Sequence, residues 1–312
     1  MRKDWSEIQK IVDSCVFHYT NVGTLAGMLR NASKKNDLMT FWASHVFYMN
    51  DSKEMKYGEE KIWDVLYDVE SELSIPKRQR ITELDKEELE KFIYNESINE
   101  NSLTNMYSIS FSKSFDYLPM WNMYGQNGNG ICLGFDMTIL DKFLKSANMG
   151  SLAIMKYGIG EDIDNLEKAQ EEMMIWKKYV KLIYQSHKKF IEEHLEAEQE
   201  NSIDSDKFIA LTLYVSLLAF LPGQIKNPAY EYEQEYRLYC REFGNKVHYR
   251  DSNGLLIPYV EVKLPLSALK LVVVGPTSDS NRQMMSIAKL LKAKVKDFNA
   301  LTFYSSEIPY RL

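Results

Sequence analysis

The sequence predicts an α+β fold, with a mixed or antiparallel β-sheet core and one helical insertion in a single domain of 312 residues. Three observations lead there. Short alternating or apolar runs bounded by turn residues recur along the chain, more of them than simple β-α-β units would need. Between about residues 160 and 222 the spacing turns helical and stays so. Neither regime contains an internal repeat or a low-complexity tract. Composition agrees, since 45% hydrophobic and 26% charged residues are ordinary for a chain that buries a core and exclude wholesale disorder.

The elements follow in order. Residues 4–13 have amphipathic helical spacing, and Val16-Phe17-His18-Tyr19-Thr20 reads as a strand ending at the turn signal Asn21-Val22-Gly23. Helical spacing returns from Thr24 to Arg30. The apolar runs Leu38–Ala43 and Val46–Met49 read as two strand pieces. Asn50-Asp51-Ser52 then marks a helix N-terminus, with Asp51 or Ser52 as cap. From Lys53 to about Leu73, Met55, Ile62, Val65, Leu66 and Val69 form one helical face, broken at Ile75-Pro76. A second charged helix is expected near 84–94, with a polar linker at 95–102.

Met106–Ser112 alternates as a strand should, and Pro119–Met123 should form a helical turn. Gly125–Gly130 predicts a hairpin turn leading into a strand over Ile131–Asp136. A further strand is expected at 152–157. The helical block that follows is charged over 165–200 and almost wholly apolar over 205–221. Pro222-Gly223 ends it. The apolar run Phe208–Leu221 is too short to span a bilayer and reads as a buried helix. Strands at 256–263 and 269–275, a helix at about 279–292 and a last strand at 294–297 complete the chain.

A net charge of −6 argues against broad binding to nucleic acid or anionic membrane. Cys15, Cys132 and Cys240 have neither metal spacing nor an even framework, which suits a reducing compartment. His45, His187, His194 and His248 show no shared metal spacing, so no metal is expected. Met1-Arg2-Lys3-Asp4 leads into an amphipathic stretch with no signal-peptide pattern, and the expected location is cytoplasmic.

Three polar groups stand out. His18-Tyr19-Thr20 lies on the first strand. Ser108, Ser110 and Ser112 share one face of the next clear one. The third is Glu233-Gln234-Glu235-Tyr236-Arg237, whose alternation would place Glu233, Glu235 and Arg237 on one strand face. Two acids there repel unless a cation, a shared proton or a ligand hydroxyl lies between them, and Arg237 can supply part of that compensation. The plain account of each is structural: a satisfied strand histidine, a half-buried strand, a solvated ion pair. Asn50-Asp51 is most simply a helix cap, and Gly125–Gly130 lacks the Lys-Ser/Thr of a phosphate loop.

The ordered set is sharper than its parts. His18-Tyr19-Thr20, Phe47-x-x-Asn50-Asp51, Ser110-Phe111-Ser112 and Trp121-x-x-Tyr124-Gly125 come first. Gly130-x-Cys132-x-x-Phe135, Tyr232 to Arg237, Gly275-Pro276 and Ile308-Pro309-Tyr310-Arg311 follow. This series resembles the bacterial DUF2971 family along nearly the whole chain, with two departures: Tyr230 where a tryptophan is expected, and the long helical insertion. The order His, Ser-x-Ser, Glu-x-Glu is also similar to that of the ADP-ribosyltransferase superfamily, which implies a split sheet and NAD as substrate. That second resemblance implies His18, with Tyr19 and Thr20, on the adenosine-side ribose, and Ser108 and Ser110 supporting the pocket. It further implies Glu235 as catalytic carboxylate, Glu233 facing the acceptor, Arg237 beside them, and Tyr124 or Trp121 stacked on nicotinamide. A carboxylate at that place would stabilise the oxocarbenium-like transition state as nicotinamide departs.

Three functions stay open at this point. The first is an NAD-cleaving transferase or glycohydrolase with a protein, nucleic-acid or small-molecule acceptor, used as a toxin or in antiviral defence. The second is a catalytically inactive module binding a nucleotide or a partner. The third is a metal-dependent nuclease built on Asp51, Glu233 and Glu235.

Overall fold

The computed structural model describes residues 4–48, 54–97, 105–149, 151–162, 164–195, 205–241, 246–252, 254–277 and 279–309. Its first elements are α1 (Trp5–Ser14), β1 (Cys15–Thr20), α2 (Val22–Met28), β2 (Leu38–His45), α3 (Glu54–Glu72) and α4 (Lys86–Ser97). Then come β3 (Met106–Ser112), α5 (Leu118–Met123), β4 (Ile131–Asp136), α6 (Met137–Ser146), β5 (Leu152–Ile154) and β6 (Lys156–Tyr157). The long helices α7 (Leu166–Leu195) and α8 (Ser205–Phe220) precede β7 (Ile225–Lys226) and β8 (Glu235–Arg241). The chain ends through β9 (His248–Ser252), β10 (Leu255–Pro265), β11 (Leu269–Val274), α9 (Ser280–Lys294) and β12 (Thr302–Ser305). This is a mixed α/β protein with antiparallel and parallel strand pairs.

The chain divides into two compact units, one of Met1–Ser44, Tyr107–Ile154 and Glu231–Leu312, the other of His45–Met106 and Met155–Tyr230. The segment expected as an insertion at 160–222 falls in the second, together with α3 and α4. In the first unit the sheet runs β12-β11-β4-β1-β3-β2-β10-β9, with β8 pairing β3 and β5. β1 lies antiparallel to β4 from Cys15↔Asp136 to Thr20↔Ile131. β11, α9 and β12 form a crossover that brings β12 back parallel to β11.

Alternation along β1 sends Val16 into the main core, among Phe41, Phe111, Phe135, Leu238 and Val260. Cys15, Phe17 and Tyr19 point the other way, into a smaller cluster under Ile8 and Val12 of α1 and Met120 and Trp121 of α5. The α1 entry is a local effect: the Asp4 carboxylate accepts from Ser6 N at 2.5 Å and from Glu7 N at 3.3 Å. At its exit, Lys113 Nζ donates to the carbonyls of Asp13 and Cys15 at 2.8 and 2.7 Å.

Several expectations are corrected. Asn21 does not close a turn but caps α2, accepting from Thr24 N at 2.8 Å. Leu38–His45 is one strand, and Val46–Tyr48 is a 3₁₀ turn instead of a second strand piece. Gly125–Gly130 is not a hairpin turn: β4 pairs with β1 and β11, and the loop closes by Gly130 N donating to Gly125 O at 2.8 Å. A Cβ on Gly130 would stand 2.4 Å from Thr20 O, so the close approach requires glycine. The last strand is 302–305, since Val295 caps the C-terminus of α9. β9 carries no apolar alternation and was not expected. The Asn50-Asp51-Ser52 cap lies outside the described residues.

The second unit is held by α3, α7 and α8. Phe208–Leu221 falls largely within α8, whose Ala210, Leu213, Tyr214 and Leu217 are buried, as its composition predicts. Trp176 Nε1 donates to Lys61 O at 2.8 Å, and Lys177 reaches Asp68 and Glu72 of α3 at 2.9 and 2.7 Å. His45 opens this unit, buried, with its Nδ1 accepting from Phe47 N at 3.3 Å.

Burial pushes the His45 pKa from 6.5 down to about 4, against a smaller opposing effect of its hydrogen bond with Asn105. The unfolded chain takes up a proton at this residue below about pH 6.5, while the folded protein resists until about pH 4. Stability should therefore fall as pH drops through that window, by roughly 3 kcal/mol in all. Urea titrations at pH 7 and pH 4.5 check this. The difference should shrink in His45→Gln, and an equal difference in that variant would refute the assignment.

Candidate functional site

The polar cluster of the first unit is built where β3 ends and β8 begins. The chain enters β8 through a 3₁₀ turn, Pro228–Glu233, and then Gln234 with φ +42°. That left-handed residue takes Glu233 off the strand, so the expected single face of Glu233, Glu235 and Arg237 does not form. Glu235 is the first strand residue and shares its face with Arg237 alone of the three.

β3 fixes this junction. Ser112 Oγ donates to Glu233 O at 2.5 Å, Lys113 N to Gln234 O at 2.9 Å, and Ser114 Oγ to Tyr232 O at 2.8 Å. Two polar contacts lie on this frame. Arg237 donates from Nε and Nη2 to both oxygens of Glu235, at 2.7 and 2.9 Å. Tyr124 OH donates to Glu233 Oε1 at 2.8 Å. Glu233, Glu235 and Arg237 are 3%, 4% and 1% exposed, so all three side chains sit inside the protein. Burial, then the charge of Glu233, raises the Tyr124 pKa well above that of an ordinary phenol, so the hydroxyl stays a donor.

The serine row keeps its alternation: Tyr107, Ile109 and Phe111 enter the main core, which leaves Ser108, Ser110 and Ser112 on the opposite side. Tyr236 and Leu238 likewise pack on the main core, so Glu235 and Arg237 lie on the side of the serines.

His18 is elsewhere. Its ring is 5.3 Å from Phe41 and 5.8 Å from Phe111, on the main-core side of the sheet. Its Nδ1 lies 3.0 Å from Ser110 O; a carbonyl only accepts, so Nδ1 carries the hydrogen and Nε2 a lone pair. Burial depresses its pKa, which keeps the ring neutral. The structure thus brings together Glu233, Glu235, Arg237 and Tyr124, and directs His18 away from them. Ser110 meets His18 through its carbonyl.

Tyr19 and Thr20 serve the fold. Tyr19 OH donates to Ser114 O at 2.9 Å and accepts from Tyr117 N at 3.2 Å, and its ring stands edge-on to Trp121. Thr20 is buried at the strand end, against Gly130. Trp121 is wholly buried, with Nε1 donating to Asp116 Oδ1 at 2.8 Å, so it is core and not a stacking platform. Sequence reasoning missed Ser112, Ser114 and Gln234 as the frame of the cluster. Only Ser112 carried a signal, its place in the serine row. Among the described residues no three His, Cys, Asp or Glu side chains gather as a metal ion would require, and Asp51 lies outside them.

Fold and site together define a mixed α/β protein that holds a buried carboxylate–guanidinium pair at the start of a sheet strand. The model of DUF2971, a protein family of unknown function, matches residues 120–238, which include Trp121, Tyr124, Gly130 and the whole Glu233–Arg237 motif. Over that segment the resemblance to the family is borne out. No curated protein and no solved structure matches the chain, so neither comparison links it to the ADP-ribosyltransferases. Among the described residues no helix is long and apolar enough to cross a membrane.

Proposed function

We propose that Glu235 is the working carboxylate of an ADP-ribosyltransferase-like or NAD-hydrolysing reaction. The observation that carries this reading is the two-point contact with Arg237, which sets a guanidinium against both oxygens of Glu235 inside the protein, on a strand, beside Glu233. Burying charges costs several kcal/mol per ion, so a buried ion pair is weak evidence of a stability device. In the reaction the bond between ribose C1′ and the nicotinamide nitrogen breaks, and its electron pair leaves with nicotinamide. The Glu235 carboxylate stabilises the positive charge left at C1′ until water or an acceptor nucleophile adds there. Glu233, held by Tyr124, is the group to orient that nucleophile. His18 has no part in this version, because its ring lies on the other side of the sheet.

One observation favours a second reading. Both oxygens of Glu235 already accept from Arg237, as in a purely architectural lock, and the chain would then be a catalytically inactive binding module.

Purified protein incubated with NAD, with nicotinamide followed by chromatography, separates the two. The first reading expects release by the wild type and a loss of about 10²-fold or more in Glu235→Gln. Circular dichroism should show the variant folded, since Gln keeps one acceptor for Arg237. Undiminished turnover in the variant sinks the assignment. Calorimetric binding of NAD with no product over hours establishes the binding module instead.

A further inference from the structure

The side of the large sheet that carries Glu235 is covered over β1, β4 and β11 by residues of α1 and α5. Over β2, β10 and β9 it is exposed at Trp42 and Glu261 and buried at Ile257 and Tyr259. Phe41, Ala43, Val260 and Val262 point into the main core, so alternation and register place Trp42 and Ser44, Tyr259 and Glu261, and His248 and Arg250 on this outer side. Trp42 is 52% exposed, and Glu261, its direct cross-strand partner, is exposed too.

Three rings form a ladder across these strands. Trp42 and Tyr259 stack at 4.5 Å with an interplanar angle of 30°, and Tyr259 and His248 at 5.4 Å and 24°. Tyr259 is buried between its neighbours. Beside the ladder, Arg250 Nη2 donates to Ser44 Oγ at 2.9 Å, while its Nε is buried and has no hydrogen-bond partner among the described residues.

A cross-strand ladder that only stabilises the sheet accounts for Tyr259 and His248. It leaves two features unexplained: a tryptophan standing half in water at the end of the stack, and a guanidinium donor removed from water without an acceptor. An exposed aromatic ring on the same sheet side as a cation with a donor to spare is the chemistry that recognises a planar ring carrying an anion. Trp42 and Ser44 are two residues apart, about 7 Å along the strand, within the span from base to phosphate of a nucleotide. Glu261 can accept from an exocyclic amino group of the stacked base.

We propose that this outer face is a binding site for an amino-bearing nucleoside phosphate, its base stacked on Trp42 and its phosphate at Arg250. The site supplies the stacking ring that Trp121, wholly buried, does not. It stands on the ladder and on Arg250, independently of the role given to Glu235.

Calorimetric titration of the full chain with AMP, adenosine and UMP tests it. AMP should bind, and adenosine and UMP should each bind more weakly. Trp42→Ala and Arg250→Gln should each reduce AMP affinity about tenfold or more, with far-UV circular dichroism unchanged. Absence of AMP binding, or binding that survives both substitutions, overturns the site. Its fate separates from that of the NAD-cleaving reading. AMP binding lost in Trp42→Ala, with no NAD turnover by any form, keeps this site and removes the other. NAD turnover sensitive to Glu235→Gln but without AMP binding does the reverse.

Discussion

Arg237→Met should destabilise the first unit by about 3–5 kcal/mol, because it removes the guanidinium from a carboxylate that stays buried. Methionine fills much of the same volume, so the effect comes from charge and hydrogen bonding and not from a cavity. Adding Glu235→Leu should recover most of that loss, since the isolated buried charge is then gone as well. Urea denaturation of the two single variants and the double variant measures the coupling between the pair. A cost below about 1 kcal/mol for Arg237→Met would mean that the pair behaves like an exposed one, and the picture of a desolvated clamp would fail. The double variant has a second use. Restored to near wild-type stability yet without Glu235, it should release no nicotinamide, which separates a loss of chemistry from a loss of fold.

How far the sequence reaches is decided by which features are local. α1, β1, β3, β4 and the apolar α8 are all legible, because periodicity lies within each segment. β9 is not. Its residues His248–Ser252 alternate without an apolar face, and pairing with β10 makes them a strand. β12 is also non-local, a parallel strand docked on β11 after a crossover.

The site divides along the same line. That Glu235 and Arg237 share a face follows from their spacing, and the bidentate contact agrees with it. Glu233 escapes the pattern because Gln234, not a glycine, takes the left-handed conformation. The side occupied by His18 was out of reach for a different reason. β1 is buried on both faces, with Val16 and Phe17 both fully covered, and alternation in such a strand does not say which face meets the serines.

Glu70 shows the same limit in the helical unit, and it carries the second large expected effect. By spacing it is one more acid on a charged helix, next to the apolar position Val69. In the fold it is fully buried and accepts from Ile81 N at 2.6 Å, from Thr82 Oγ1, and from Tyr184 OH at 3.2 Å. One carboxylate thus ties α3 to the turn after it and to α7. Glu70→Ala would leave a buried backbone N–H and a buried phenol without their acceptor, at about 1–3 kcal/mol for each such group, so a total near 3–5 kcal/mol is expected. Tyr184→Phe deletes one of the three bonds and leaves Glu70 its other two donors, which should cost only about 1 kcal/mol. The ordering of the two variants in chemical denaturation is the test. If Glu70→Ala costs no more than Tyr184→Phe, the carboxylate is a bystander and the packing of α3, α7 and α8 alone holds the unit. If the ordering holds, this unit depends on a single buried acid of α3.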